Sequence, residues 1–153
     1  MMAKTNKNSK VFAVDFDGTC VTFDFPRVGK EIGAVPVLKE LVANGHKIIL
    51  YTMRSDMVAP ISPDPDILTP KAGDDTNYLS HAVDWFKKHD IPLYGVNVNP
   101  SQITWTNSPK VYAHYYIDDI ALGCPIMNNP EISRRPYVDW LHIRLMLKAR
   151  NLI

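Results

Sequence analysis

The chain has 153 residues, of which 46% are hydrophobic and 22% are charged, and these proportions disfavour disordered, collagen-like and coiled-coil architectures. The 17 Lys and Arg residues nearly balance the 16 Asp and Glu residues, so the formal charge of +1 provides no global field to hold nucleic acid or anionic lipid. The two cysteines suit a reducing compartment and no apolar run reaches the ~18 residues of a membrane span, so we expect one cytoplasmic domain with no membrane partner and leave the oligomeric state open.

The chain starts with a polar leader, residues 1–10, which we predict to be flexible. A single folded domain is expected to span residues 11–153. Val11–Val14 is a short apolar run that ends abruptly at Asp15, which is typical of a strand buried on both faces of a parallel sheet. A helix is predicted from about Pro36 to Gly45, since Pro favours the first turn of a helix and Gly favours its left-handed end.

A second apolar run, residues 48–51, ends at Thr52 and predicts a second strand. Four of the 12 prolines fall between residues 53 and 74, so this stretch is predicted to be a loop and is a plausible local lid. Asp75 is expected to cap a helix that runs to about His89. The remaining predicted elements are strands at Tyr94–Asn97 and Tyr115–Ile117, and a final helix from near Pro136 that carries Val138, Leu141, Leu145 and Met146 inward.

Strands that alternate with helices at this spacing predict an α/β fold. We expect an open, doubly wound parallel sheet of the Rossmann-like type, with helices on both faces. Ligands of such sheets bind beyond the carboxyl ends of the strands. Five polar residues lie at those ends: Asp15, Asp17, Thr52, Asp118 and Asp119. The sequence therefore predicts a functional site at this edge of the sheet.

Acidic residues dominate that edge. Asp15 and Asp17 are two residues apart in an extended segment, so their side chains are expected to point the same way, and Asp118 and Asp119 would join them if the last strand lies beside the first. Four carboxylates repel one another unless a cation intervenes, and Mg²⁺ is the hard, oxygen-liganded ion that fits best. A calcium-binding helical hand fits less well, because its glycine belongs at the sixth loop position and Gly18 is fourth. Simple loop capping explains any one of the acids better than all four together.

The order of these segments resembles the motifs of the haloacid dehalogenase-like (HAD) hydrolase superfamily. Asp15–Thr19, which reads DFDGT after an apolar strand, is similar to the first motif of that family. Ile117–Asp119, which reads IDD, is similar to its last motif. Between them, Thr52 follows the second strand as in the second motif, and Lys110 matches the lysine that precedes the last motif. The resemblance spans residues 11–119. Its first and last motifs are specific, and the other two matches gain from their order.

The resemblance implies a role for each matching residue. Asp15 would be the nucleophile that forms an aspartyl-phosphate, and Asp17 would be the general acid and base, with its main-chain carbonyl in the metal shell. Thr52 would bind a phosphoryl oxygen, and Lys110 would neutralise charge between Asp15 and the transferring group. The implied Mg²⁺ ligands are Asp15, Asp17, Asp119 as the direct carboxylate ligand and Asp118 in the outer shell.

Two further basic residues are candidates for the site. Arg54, in the loop after the second strand, suits a phosphate or a substrate carboxylate, and it could equally pair with an acid at the surface. Lys71, in the proline-rich loop, is the weaker substitute for Lys110.

The family pattern predicts a Mg²⁺-dependent phosphomonoester hydrolase that acts on a small-molecule phosphate ester or a nucleotide. The short connection between Gly18 and Val35 leaves no room for a separate cap domain, so we expect a capless member. One alternative is a phosphatase for nucleotides or nucleic-acid ends, although the net charge offers no general support for a nucleic-acid partner. The other is a noncatalytic binding module, which the presence of both first-motif aspartates and a candidate lysine disfavours.

Overall fold

The computed structural model of the protein describes residues 8–56 and 73–153. Within this part of the chain, the backbone is held in place before the first strand begins. Ser9 Oγ donates a hydrogen bond to Gly45 O at 2.7 Å, and the Lys10 backbone N–H donates to His46 Nδ1 at 3.0 Å. The predicted flexible leader of residues 1–10 therefore does not extend to Ser9 and Lys10, and residues 1–7 lie outside the described residues.

Four parallel strands form the central sheet, in the order β3-β2-β1-β4. They are β1 Val11–Val14, β2 Lys47–Leu50, β3 Leu93–Val96 and β4 Tyr115–Ile117. Each begins within one residue of its predicted position, because the apolar runs that predict buried strands are the segments that the sheet buries. Since β1 has a partner on either side, its carboxyl end lies in the middle of the sheet edge.

In the described part of the chain, three α-helices flank this sheet: α1 Ala34–Ala43, α2 Tyr78–Lys88 and α3 Trp140–Ala149. The first of them ends as predicted, with Gly45 in the left-handed conformation at a φ of 84°, which a residue without Cβ adopts at no steric cost. The parallel sheet with flanking helices confirms the predicted open, Rossmann-like α/β class.

The two faces of the sheet are covered differently. All three helices contribute to one hydrophobic cluster, which they share with Phe12 and Val14 of β1. Ala13, on the opposite face of the same strand, is also buried. Because connections between parallel strands are right-handed, the connection between β3 and β4 is expected to cross that face, and its regular structure is a short 3₁₀ helix at Gln102–Thr104.

The helix α2 begins later than predicted, with Asn77 rather than Asp75 as its N-cap residue. A residue far earlier in the chain takes part in holding its first turn. Asp56, 24 residues before Ser80, accepts hydrogen bonds from the Ser80 hydroxyl at 2.6 Å and from the Ser80 backbone N–H at 3.0 Å, and these bonds hold the pKa of Asp56 below its ordinary value. The first N–H groups of a helix have no partner inside the helix, so this distant carboxylate supplies the cap that we predicted from Asp75.

The final helix also starts later than predicted. Tyr137–Val138 forms strand β6, which pairs with strand β5 at Ile126–Met127 in an antiparallel two-stranded sheet. The Val138 backbone N–H donates to Gly18 O at 3.0 Å, a contact that holds this segment extended. Asp139 then caps α3 by accepting a hydrogen bond from the His142 backbone N–H at 3.0 Å.

The predicted inward set is right for Val138, which is buried, and for Met146, which packs against the core, but wrong for Leu141 and Leu145. Leu141 and Leu145 are 75% and 58% exposed, and the residues that α3 buries are Trp140, Ile143 and Leu147. Both sets have helical spacing, so periodicity alone does not choose between them. The indole N–H of Trp140 donates to Thr19 O at 2.6 Å in the interior, and this contact favours the second set.

Most of the predicted proline-rich loop lies outside the described residues, which omit 57–72. Lys71 falls in that gap, so its suggested role and the suggested lid both stay predictions. Among the helices of the described ranges, none has the length and apolar character needed to cross a bilayer.

Candidate functional site

The candidate site lies at the carboxyl ends of β1, β2 and β4. Hydrogen bonding between the strands continues to their ends: the Tyr51 N–H donates to Val14 O at 2.8 Å, and the Asp15 N–H donates to Ile117 O at 3.0 Å. Asp15 is therefore flanked by the residues at the ends of the two neighbouring strands. This is the edge of an open parallel sheet at which ligands bind.

Three carboxylates converge at this edge. Asp15, Asp118 and Asp119 each place one carboxylate oxygen within 4.8 Å of the other two, and all three residues are half-buried. We call them the Asp15 cluster. No Lys or Arg of the described ranges forms an ion pair with any of the three. The predicted meeting of the two distant acidic segments is therefore confirmed for these residues.

Burial makes two of these carboxylates hard to ionise. Desolvation raises the pKa of Asp15 from 3.8 to about 8, a hydrogen bond from the Phe16 backbone opposes the rise, and the negative charges of Asp118 and Asp119 add to it. Desolvation, followed by the charge of Asp118, raises the pKa of Asp119 from 3.8 to about 6. A cation between these oxygens would favour their ionised forms and remove the repulsion.

Thr19 is a site residue that sequence reasoning missed. It is completely buried, and its Oγ1 lies 3.2 Å from Asp15 Oδ2 and 3.4 Å from Asp119 Oδ1. The same oxygen accepts a hydrogen bond from the Asp119 backbone N–H at 3.0 Å. Thr19 thus connects the segment after β1 to the segment after β4. The signal that could have found it is its position directly after Gly18 in the DFDGT segment.

Gly18 lets Asp119 approach the first motif. Its φ is 79°, in the left-handed region that favours glycine, and a Cβ at this position would lie 2.4 Å from Asp119 Oδ2. Gly18 therefore leaves the space that a carboxylate from the segment after β4 occupies.

The Asp17 carboxylate lies outside the Asp15 cluster. It accepts two hydrogen bonds from Arg54, from Nε to Oδ2 and from Nη2 to Oδ1, both at 2.7 Å. The side chains of this pair are 12% and 1% exposed, respectively. The prediction that four carboxylates share one site therefore holds for three of them. The fourth, Asp17, is paired with the Arg54 guanidinium instead. The implied metal contact of the Asp17 carbonyl stays a prediction.

Arg54 uses all of its donors within the protein. A guanidinium has five N–H groups; two serve Asp17, and the others donate to Pro26 O and Tyr78 O at 3.2 Å and to Arg27 O at 2.7 Å. None is left for a substrate phosphate in this conformation, so the geometry does not support the predicted phosphate contact. The alternative pairing with an acid is observed, and the pair is buried rather than at the surface.

Thr52, the other predicted phosphate ligand, lies at the end of β2 and is largely buried. Its backbone N–H donates to Asn97 Oδ1 at 2.8 Å, and its Oγ1 accepts the Arg54 backbone N–H at 3.1 Å. The hydroxyl proton is therefore left for another acceptor. Asn97 is a second residue that sequence reasoning missed, and the signal for it is a polar residue at the end of the third predicted strand.

Lys110 is exposed, and its backbone carbonyl accepts a hydrogen bond from Gln102 Nε2 at 2.7 Å. Within residues 8–56 and 73–153, its ammonium group forms no ion pair. The structure thus does not bring Lys110 into contact with Asp15, and its implied role as a neutralising cation stays a prediction.

A solved structure resembles this chain over nearly its whole length. It is described as the structure of a conserved protein coded by a locus from Bacteroides thetaiotaomicron, and it superposes with a TM-score of 0.66 at 28% sequence identity, covering 94% of this chain and 93% of that chain. Neither a protein-family model nor a curated protein matches the chain. Fold and site together define an α/β protein with an acidic centre at the carboxyl edge of its sheet.

Proposed function

We propose that the protein is a Mg²⁺-dependent phosphomonoester hydrolase of the haloacid dehalogenase-like type, with Asp15 as its nucleophile. The observation that carries the proposal is the Asp15 cluster, in which carboxylates from segments about 100 residues apart meet without a cationic partner among the described residues. Such an arrangement is repulsive by itself. A bound divalent cation would offset this repulsion and would also bind the phosphate group of an ester substrate.

Mg²⁺ suits the residues that are present. It takes oxygen ligands, and proteins commonly hold it with one or two carboxylates while water and substrate phosphate complete its shell. Asp15 and Asp119 would hold the ion, with Asp118 close enough to support it. When bound, the ion supplies positive charge that neutralises the carboxylates and polarises the phosphoryl oxygens.

Asp15 attacks phosphorus in the proposed reaction. The Thr19 hydroxyl donates a hydrogen bond to Asp15 Oδ2 at 3.2 Å, and this contact orients the carboxylate. In the proposed reaction, a carboxylate oxygen of Asp15 bonds to phosphorus as the ester P–O bond breaks, and the leaving oxygen takes a proton. Water then cleaves the aspartyl-phosphate and regenerates the carboxylate. Splitting one displacement into two easier steps in this way is the advantage of covalent catalysis.

Asp17 and Thr52 would serve the same reaction. As general acid and base, Asp17 gives a proton to the leaving oxygen in the first step and takes one from water in the second. The Thr52 hydroxyl donates to a phosphoryl oxygen. Such donors position and stabilise the transferring group, which is the main demand of phosphoryl transfer.

The cytoplasmic setting that we propose agrees with the free thiols of Cys20 and Cys124.

A nucleotide or a phosphate-terminated oligonucleotide is the second candidate substrate, and two tyrosines favour it. Tyr51 follows β2 beside Asp15, its side chain is 37% exposed, and its ring lies 6.3 Å from that of Tyr116, which is 43% exposed. Partly exposed aromatic rings near this edge of the sheet are suited to stacking on a nucleobase.

Hydrolysis of p-nitrophenyl phosphate tests the proposed function. We expect turnover with Mg²⁺, none after EDTA treatment, and recovery when Mg²⁺ is added in excess. A panel of sugar phosphates, nucleoside monophosphates and phosphate-terminated oligonucleotides then separates the two substrate classes. Absence of Mg²⁺-dependent turnover on every member of the panel would contradict the proposal. Calorimetric binding of Mg²⁺ and inorganic phosphate without turnover would instead support the noncatalytic module.

A further inference from the structure

The Asp17–Arg54 pair has the geometry of a fixed support rather than of a ligand contact. We propose that Arg54 is a positioning residue, which holds the Asp17 carboxylate at the edge of the site and does not itself bind the phosphoryl group. This inference rests on the proposed phosphomonoesterase function and assigns a new role within the same site.

The first support for this role is the contact between the two side chains. Both oxygens of the Asp17 carboxylate accept a hydrogen bond from Arg54 at 2.7 Å. A bidentate pair of this kind fixes the plane of the carboxylate as well as its position. Each carboxylate oxygen keeps further acceptor capacity, so Asp17 can still take up a proton from water and pass it to a substrate oxygen while Arg54 holds it.

The second support is the way Arg54 is itself held. Three backbone carbonyls accept its remaining N–H groups: those of Pro26 and Arg27, in the connection between β1 and α1, and that of Tyr78, the first residue of α2. Its guanidinium carbon also lies 5.1 Å from the ring centroid of Phe16 and 5.2 Å from that of Phe25. Movement of Arg54 toward a substrate would take the donors away from three part-buried carbonyls and from the Asp17 carboxylate.

A residue with this anchoring acts on catalysis through Asp17. A general acid and base works only within hydrogen-bond reach of the oxygen that it serves, and a misplacement of about 1 Å can lower the rate about 10²-fold. Loss of the two hydrogen bonds from the Arg54 guanidinium to Asp17 is therefore expected to lower kcat, while the affinity for the phosphate group stays unchanged. A direct phosphate ligand would show the opposite pattern.

The test compares Arg54→Lys with Arg144→Lys, using p-nitrophenyl phosphate as substrate, Mg²⁺ in excess and inorganic phosphate as competitive inhibitor. Lysine keeps the positive charge but not the two-pronged geometry. Arg144 is the matched control, because it forms a similar bidentate pair with Glu40 at 2.7 and 2.8 Å between α3 and α1. Far-UV circular dichroism and thermal melting report on whether each variant is folded.

The expected result for Arg54→Lys is a kcat lowered about 10–100-fold, with KM and the inhibition constant of phosphate within twofold of wild type. Arg144→Lys should leave all three values within twofold. Two results would overturn the inference: an unchanged kcat in folded Arg54→Lys, or a phosphate inhibition constant raised tenfold or more while kcat is retained, which would make Arg54 a phosphate ligand.

If Arg54→Lys does not fold, a milder variant tests the positioning role of Arg54. Phe25→Leu removes one of the rings beside the guanidinium and none of the hydrogen-bond partners of Arg54. It should lower kcat severalfold without changing the inhibition constant of phosphate. An unchanged kcat, or a change confined to the inhibition constant, would count against the positioning role.

A double-mutant comparison separates action through Asp17 from direct action. In an Asp17→Asn background, adding Arg54→Lys should change the first-turnover release of nitrophenolate by less than twofold. A loss as large as in the wild-type background would contradict the inference. The proposed function fails separately, since it fails if the wild-type protein itself shows no Mg²⁺-dependent turnover.

Discussion

Two carboxylates of the same short loop, Asp15 and Asp17, have opposite electrostatic environments. Asp17 has a cation built into the protein, Arg54, with both carboxylate oxygens bonded at 2.7 Å. Asp15 has acidic neighbours instead, and burial raises its pKa to about 8. The contrast teaches that negative charge at this edge is compensated in two ways: from within the chain at Asp17, and by an ion from solvent, as we propose, at Asp15.

This comparison also separates fixed from adjustable parts of the site. The Asp17–Arg54 pair is fully satisfied in the described structure and needs no ligand to complete it. The Asp15 cluster is held by Thr19 and by the turn at Gly18, yet its charges repel. Ligand-dependent changes in affinity and stability should therefore arise at the cluster.

The largest expected effect is on turnover in Asp15→Asn. The amide cannot attack phosphorus, so we expect a loss of about 10³-fold or more in kcat, while binding of inorganic phosphate with Mg²⁺ survives. The control is Asp24→Asn, which makes the same chemical change at the surface pair with Arg27 and should leave turnover within twofold. Steady-state kinetics and calorimetry measure both. Full activity in Asp15→Asn would remove Asp15 as the nucleophile.

A large loss of stability is expected from Gly18→Ala, which would press a methyl group against the cluster. The new Cβ would lie 2.4 Å from Asp119 Oδ2 at a φ of 79°, and we expect unfolding in urea to become easier by about 3 kcal/mol. Gly123→Ala is the matched control, since its φ is 92° and nothing lies within 4 Å of its Cβ. It should cost about 1–2 kcal/mol, the left-handed penalty alone. Equal losses in the two variants would show that the close approach of Asp119 is unimportant.

A somewhat smaller effect is expected on Mg²⁺ affinity when the second acidic segment is changed. Asp119→Asn should weaken binding about 100-fold, and Asp118→Asn about 10-fold, if the former contacts the ion and the latter supports it. Titration calorimetry measures both affinities. The reverse order would exchange the two roles, and no change in either variant would remove the proposed metal site.

The smallest expected effect is on stability in the absence of metal. Because the pKa of Asp119 is raised from 3.8 to about 6 in the folded state, folding binds a proton between these values, and the carboxylate destabilises the fold above pH 6 but not below pH 4. Since water screens part of this effect, Asp119→Asn should stabilise the protein by about 1 kcal/mol at pH 8 and leave it unchanged at pH 4, as measured by urea denaturation.

Asp56→Asn gives the contrasting sign. The Ser80 hydroxyl and backbone N–H bonds lower the pKa of Asp56, so its carboxylate stabilises the fold above its ordinary pKa and this contribution disappears as the pH falls through the lowered value. The variant should therefore be less stable than wild type at pH 8. If Asp119→Asn and Asp56→Asn shift stability in the same direction at pH 8, the two electrostatic environments do not differ as described.

Much of the site could be predicted from sequence because its signals are local. The apolar runs before Asp15 and Asp118 predict strands, and parallel strands bring their carboxyl ends to one edge. That reasoning led to the convergence of Asp15, Asp118 and Asp119, which the structure contains. It did not reveal Thr19 or Asn97, because their roles depend on contacts with segments distant in the chain: the Asp119 backbone for Thr19 and the Thr52 backbone for Asn97.

Arg54 shows why the rest was out of reach. Its position in a loop near acidic residues is compatible with a phosphate contact and with an ion pair. The choice depends on which acceptors surround the guanidinium, and these come from Asp17, the connection after β1 and the first turn of α2. No pattern within the loop itself contains that information.

What the sequence alone determined is the four strands of the central sheet, their parallel arrangement and the acidic character of their carboxyl edge, because hydrophobic periodicity and residue type act over a few neighbouring residues. Only the tertiary structure decided which face of α3 is buried, which residue caps α2 and which aspartate receives a cation from the protein. Those outcomes depend on hydrogen bonds and charges between segments that are distant along the chain, and their free energies exist only once the segments have been brought together.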